Sequence, residues 1–297
     1  MILIPPKRIC LSGGGIRATA FLGALEVLET NGLLRSVKEY IGVSAGALIC
    51  YGLVLGYTVQ ELKKLCMEFD FALIRSVDPE SAMGFMDEFG FDKGENLRRF
   101  LESLLKQKNL APETTFEEFS LQKPNGPTLR CFATDLNVCM PREFSVALTP
   151  TVKLTDALLA TMSLTFYFTP VLDPLTGHYL TDGGVLHNYP MAFLTPEERI
   201  HSLGLMFSND HAENTSITDF YDFLHQLFAC VYMPRTRKIL SEAKHNTIVL
   251  PHGDYPSWNF EATKEEKANL MKAAAEATEV FLSVKNHPKP LRRFSVG

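Results

Sequence analysis

Within its first 55 residues the chain twice runs a short apolar strand into a glycine-flanked turn and out into an apolar helix. The first unit is "KRICLS" at 7–12, then "GGG", then a helix over roughly 16–30. On that helix Phe21, Leu22, Leu25 and Leu28 recur at helical spacing, and Asn31-Gly32 supplies the stop. The second is "EYIGVSAGALI" at 39–49, a strand, a sharp turn and the start of another apolar helix. Strands joined through helices pair in parallel, and a parallel sheet needs helices on both faces. Two such units at the outset therefore point to a layered α/β chain.

The later segments continue the alternation. "TVQELKKLCMEF" opens with a capping box, Thr58 to Glu61, and carries Val59, Leu62, Leu65, Cys66 and Phe69 on one face. Residues 75–95 read as irregular, and "NLRRFLESLLKQ" follows as an amphipathic helix. "PNGP" at 124–127 turns into the strand "TLRCFATDL". A helix over about 154–163 leads to "SLTFYFTPV", and "GHYLTDGGVLHNYP" reads as a strand broken at two glycines. Thr195 and Glu198 form another box, with Pro196 at the first helical position. Later strands are expected at "IHSLGLMFS" and "NTIVLP", with an aromatic helix over about 217–233 between them and a final helix starting at Thr263/Glu266. Without a repeat or a linker, the expectation is one domain over 1–297. Its motif-bearing core covers about 6–210, and 211–297 complete a three-layer α/β/α fold around a mostly parallel sheet.

Charge and cysteine usage narrow the function. A net charge of −5 lacks the basic excess of a general nucleic-acid binder. The six cysteines form no C-x-x-C pair and sit mostly in apolar runs, as buried thiols in a reducing compartment do. The start "MILIPPKRIC" has no basic region before its apolar residues and reads as a lead-in to the first strand rather than a signal peptide. No apolar run reaches the roughly 18 residues of a membrane span. A cytoplasmic protein, peripheral at membranes if it meets them, is the expectation.

Three glycine-rich boxes carry the candidate chemistry. Gly42-Val43-Ser44-Ala45-Gly46 is a G-x-S-x-G box between a strand and a helix, a setting that projects a serine hydroxyl outward as a nucleophile. The box alone is a weak signal, and its bland reading is a buried turn with an inert serine. Gly13, Gly14 and Gly15, followed by Ile16 and Arg17, leave backbone N–H groups near a helix start, where they can hold a phosphate or an oxyanion. There is no Walker lysine, and Ala18 ends any G-x-G-x-x-G series, so an oxyanion hole beside a nucleophile is the better use. Arg17 either orients that loop, meets a lipid phosphate or is a solvated helix-start arginine. Asp182 closes an apparent strand before Gly183 and Gly184, and taken alone is an ordinary turn residue.

Together "GGGIR" (13–17), "GVSAG" (42–46) and "DGG" (182–184), in that order, resemble the patatin-like phospholipases. Weaker matches are "FATDLNVCMPREFS" (132–145), "ALLATMSLTFYFTPV" (157–171), and Asn188 with Pro190. The resemblance covers about residues 6–210. Departures are Ala18 for a glycine, Thr165 where proline is common, and His187 at a position not usually histidine; none removes a catalytic group. The resemblance implies a patatin-like fold and a Ser–Asp dyad. Ser44 would attack an acyl ester, Asp182 would serve as general base, residues 13–17 would line the oxyanion hole, and an acyl-serine would form. It implies a lipid substrate, phospholipid or lysophospholipid, and no metal or other cofactor.

Two rivals stand beside this reading. An α/β-hydrolase triad would recruit His187, five residues after Asp182, yet that fold sets its nucleophile after several strands rather than one βα unit. The remaining histidines (178, 201, 211, 225, 245, 252 and 287) show no ligand spacing. Alternatively, the chain is a catalytically silent lipid-binding or scaffold protein. Transient contact with a membrane surface is expected, with three candidate segments: the apolar stretch 220–233, whose bland reading is core; the basic tail "HPKPLRRF" at 287–294, whose bland reading is a solvated terminus; and the Met/Phe-rich stretch 81–92.

Overall fold

In the computed structural model the described residues are 4–76, 79–208, 217–218, 220–253, 255 and 260–286. The basic tail lies outside them. The strands are β1 (Arg8–Leu11), β2 (Glu39–Val43), β3 (Thr128–Asp135), β4 (Met140–Ser145), β5 (Val171–Leu172), β6 (Tyr179–Asp182), β7 (Ser202–Phe207) and β8 (Thr247–Leu250). The helices before β3 are α1 (Thr19–Thr30), α2 (Ala45–Leu55), α3 (Val59–Glu68), α4 (Pro79–Glu88), α5 (Glu95–Gln107) and α6 (Phe116–Gln122). After β4 come α7 (Leu154–Thr161), the short α8 (Gly184–His187) and α9 (Pro196–Ile200), and the long α10 (Phe220–Ala243) and α11 (Lys264–Asn286).

The eight strands form one mixed sheet in the order β5-β6-β3-β2-β1-β7-β8, with β4 on the other edge of β3. The centre, from β3 through β2, β1 and β7 to β8, is parallel, while β4, β5 and β6 pair antiparallel. Strand periodicity divides the core into two layers. Ile9 and Leu11 of β1, with Leu129 and Cys131 of β3, face a large cluster that includes α1, α2, α3, α5 and α7. Cys10, Ile41, Val43 and Phe132 point the other way, onto Met191, Leu194 and Ile239. The expected three-layer α/β/α architecture is therefore present.

Local expectations are met where their signals were physical. The boxes at Thr58/Glu61, Thr195/Glu198 and Thr263/Glu266 each form, side chain to backbone in both directions. Two segments differ. Residues 79–88, read as irregular, form α4, with Pro79 at its first position, where the missing N–H costs nothing. The aromatic helix does not stop near 233: α10 carries Pro234 in its interior and runs on to Ala243. The bond that Pro234 cannot make falls beside the exposed Cys230, where water can serve the freed carbonyl.

Candidate active site

The edge of β3 that faces away from β4 is shared by two strands. β2 pairs in parallel along its first part, ending with Val43 opposite Phe132. β6 pairs antiparallel along the rest, ending with Asp182 opposite Ala133. Phe132 and Ala133 are consecutive, so β2 and β6 meet head-on, and each chain must turn out of the sheet there. Ser44 is the residue after Val43 and Asp182 the last of β6. Two residues 138 positions apart thus become neighbours through one strand register.

Each turn has its own local cause. Ser44 sits at φ 51° and ψ −130°, a left-handed conformation that costs a non-glycine residue roughly 1–3 kcal/mol. The turn is tight because its flanking positions have no room for a side chain. A Cβ on Gly42 would lie 2.4 Å from the Ala47 Cα, and one on Gly46 would lie 2.4 Å from the Ser12 carbonyl oxygen. Thr161, at the end of α7 and fully buried, holds the junction. Its hydroxyl accepts the Ser44 N–H at 2.9 Å and donates to the Phe132 carbonyl at 2.5 Å. Ser163 accepts the Asp182 N–H on its carbonyl at 2.9 Å. The Thr134 hydroxyl donates to the Asp182 carbonyl at 3.0 Å.

The Asp182 carboxyl is buried, and burial pushes its pKa from the ordinary 3.8 up to about 6. The Ser44 hydroxyl and the Gly184 N–H, which donates to Asp182 Oδ1 at 2.7 Å, favour the charged form and limit the rise. A carboxylate so placed is a stronger base than a solvated one and has the serine hydroxyl as a partner.

The glycine loop after β1 lies against the same spot, since a Cβ on Gly13 would come within 3.4 Å of the Ser44 Cβ. Its donors are not all free, a correction to the simple picture of three open N–H groups. Gly13 donates to the Asn188 carbonyl at 3.0 Å, and the Asn188 side-chain amide donates back to the Gly13 carbonyl at 3.3 Å. That clasp ties the glycine loop to the segment after Asp182. The 3₁₀ turn Gly15–Ala18 begins with an Arg17 N–H bond to Gly14, which leaves the N–H groups of Gly14, Gly15 and Ile16 without a protein acceptor among the described residues. The Arg17 Nε donates to the Tyr255 carbonyl. Burial pulls the Arg17 pKa down to about 10, Tyr232 opposes that shift, and no carboxylate among the described residues pairs with it.

Gly183 and Gly184 follow Asp182 into α8, and a Cβ on Gly183 would lie 2.1 Å from the Phe132 carbonyl oxygen. His187 ends α8 on the far side. Its ring meets Phe193 edge-on at 5.2 Å between centroids, and burial beside Arg235 holds its pKa below the usual histidine value. It is absent from the wall of the cavity that contains Ser44 and Asp182.

That cavity has a volume of about 880 Å³. Ser44, Asp182 and the glycine loop occupy one part of its wall. Its apolar lining includes Leu48 of α2, Leu62 of α3, and Phe100 and Leu104 of α5. A second wall comes from Phe166 and from Phe228 and Tyr232 of α10. Among the described residues no group of three His, Cys, Asp or Glu side chains is arranged to hold a metal ion. Ser44, Asp182 and the loop are the residues the sequence motifs single out. Thr161 and Ser163 carry no motif, and their only signal in the sequence is their place in the small-residue helix and the loop after it.

The profile of the patatin-like phospholipase family matches residues 9–195. Among curated proteins, YqhO of Bacillus subtilis (strain 168), described as uncharacterised, is 28% identical over 297 residues, covering 91% of this chain and 96% of its own. A protein named as probable lipid hydrolase 463L, from Invertebrate iridescent virus 6, is 28% identical over 185 residues, 62% of each chain. Among solved structures, VipD from Legionella pneumophila superposes with a TM-score of 0.61 at 17% identity, over 95% of this chain and 67% of that one, which is a likeness of fold. With the family profile spanning most of the chain and all three glycine boxes, this chain belongs to the patatin-like phospholipase family.

Proposed function

We propose that the chain is a lipid acyl hydrolase that cleaves fatty-acyl esters of phospholipids or lysophospholipids through Ser44 and Asp182. The observation that carries this reading is a strained serine beside a buried, basicity-raised aspartate on the wall of a deep apolar cavity. Asp182 takes the Ser44 proton as Oγ attacks the ester carbonyl. The oxyanion that forms is met by the N–H groups of Gly14, Gly15 and Ile16, which have no acceptor among the described residues, while the Gly13 N–H stays on the Asn188 carbonyl and holds the loop. The alcohol leaves with the proton from Asp182. Water then attacks the acyl-serine, Asp182 accepts its proton, and the fatty acid departs as Ser44 recovers its hydrogen. The apolar lining that includes Leu48, Leu62, Phe100 and Leu104 suits the acyl chain. Arg17, cationic at neutral pH and without a carboxylate partner among the described residues, suits a headgroup phosphate. The joining of β7 and β8 to the same sheet supports treating residues 1–297 as one domain.

The test is fatty-acid release from a phospholipid and lysophospholipid panel without added calcium, for the wild type and Ser44→Ala. Release by the wild type, lost by on the order of 10³-fold or more in Ser44→Ala, supports the reading. Covalent labelling of Ser44 by a fluorophosphonate separates it from a silent lipid-binding protein, whose serine would not react. His187→Ala should keep most activity; its loss would move the mechanism to a triad, against the ring's contact with Phe193.

A further inference from the structure

The long helix α10 is apolar on two faces where folding requires one. Leu224, Phe228, Tyr232 and Thr236 recur every four residues and line the cavity. Phe223, Leu227 and Val231, with the same spacing one position earlier, point outward at 49%, 49% and 44% exposure. A helix on a protein surface normally presents polar residues there. The outward stripe continues into the exposed Arg235 and Lys238, with the exposed Arg237 on the adjoining face, none of the three in an ion pair among the described residues; Arg235 donates to the Leu186 carbonyl at 3.4 Å. In a chain of net charge −5, this local positive excess is matched to an anionic surface.

The stripe borders the cavity. Across it, the end of α4 leaves Met86 and Phe89 exposed at 79% and 51%. Phe85 of α4 meets Phe166 at 6.4 Å between centroids, and Phe166 meets Phe228 at 6.5 Å. One aromatic chain thus links α4, the loop after α7 and α10, and two of its members, Phe166 and Phe228, are cavity wall. A flat apolar phase resting on this rim would be continuous with the cavity's own apolar lining.

We infer that the outer face of α10, with Met86 and Phe89 of the α4 end, docks the protein on an anionic lipid bilayer. Phe223, Leu227 and Val231 enter the acyl boundary, and Arg235, Arg237 and Lys238 meet anionic headgroups. The inference rests on the lipid reading of the cavity for its purpose, but its test is independent of turnover.

The test is co-sedimentation of the Ser44→Ala chain with vesicles of phosphatidylcholine, with and without phosphatidylglycerol. The expected result is partitioning that increases with phosphatidylglycerol and weakens with added salt. The triple change Phe223→Ser, Leu227→Ser, Val231→Ser should lower partitioning at least about tenfold. Arg237→Glu with Lys238→Glu should abolish the preference for phosphatidylglycerol. Melting curves confirm that both variants are folded. The inference is overturned if the parent chain does not bind either vesicle, or if folded variants bind as it does. It is also overturned if the chain is a dimer in solution that the triple change dissociates while vesicles go unbound, since the stripe is then a contact between copies. Vesicle binding by a chain that releases no fatty acid would leave the docking face standing and remove the hydrolase reading alone.

Discussion

Replacing Asp182 with Asn should abolish turnover and yet make the protein more stable at neutral and alkaline pH. The folded pKa of Asp182 is raised, so the native state keeps a proton over the range in which the unfolded chain has released it. Its favourable contribution is complete below about 3.8 and is lost as pH rises through about 6. The gap from 3.8 to about 6, at 1.36 kcal/mol for each tenfold change in proton affinity, means that ionised Asp182 costs the fold about 3 kcal/mol above neutrality. Asparagine keeps an oxygen for the Gly184 N–H at 2.7 Å and carries no charge to desolvate. Urea denaturation of both chains, compared at equal m, should show Asp182→Asn more stable by about 2–3 kcal/mol near pH 8, with the gain shrinking to roughly half a kcal/mol near pH 4. The wild-type rate should follow the same group: about a tenth of maximum near pH 5, half near pH 6, nine-tenths near pH 7. A gain that is flat with pH, or a loss of stability at pH 8, would refute the claim that burial of this carboxylate is what raises its basicity.

Three further outcomes follow from the geometry. Thr161→Val, which removes the hydroxyl but keeps the shape, leaves the Ser44 N–H and the Phe132 carbonyl unpaired in a dry place. It should cost about 2–4 kcal/mol in urea denaturation and lower kcat more than KM. Gly46→Ala forces a methyl to within 2.4 Å of the Ser12 carbonyl, so the glycine loop and the serine turn must part. Soluble, folded protein with near wild-type kcat would contradict that account. Leu104→Trp puts an indole into the apolar part of the cavity lined by α5. In a panel of esters of increasing acyl length, long chains should lose kcat/KM by at least about tenfold while short chains keep theirs.

Features that depend on near neighbours along the chain are legible in its residues alone. Alternating strands and helices set the parallel centre of the sheet, and the capping boxes at Thr58, Thr195 and Thr263 fixed three helix starts, because each is an interaction over three residues. The glycines at 42 and 46 marked a turn that only residues without a Cβ permit. Two local patterns differ from the fold: the helix expected over about 217–233 runs on through Pro234, whose missing bond falls where the helix is exposed, and residues 79–88, expected to be irregular, form α4 behind Pro79. Tertiary structure decided the rest, because it depends on pairings between distant segments. The head-on meeting of β2 and β6 on β3 made neighbours of Ser44 and Asp182. Burial at that junction raised the aspartate's pKa, a property of its surroundings rather than of the letters beside it. Only the fold could commit the Gly13 N–H to Asn188, 175 residues away, and so leave the donor role to the glycines that follow.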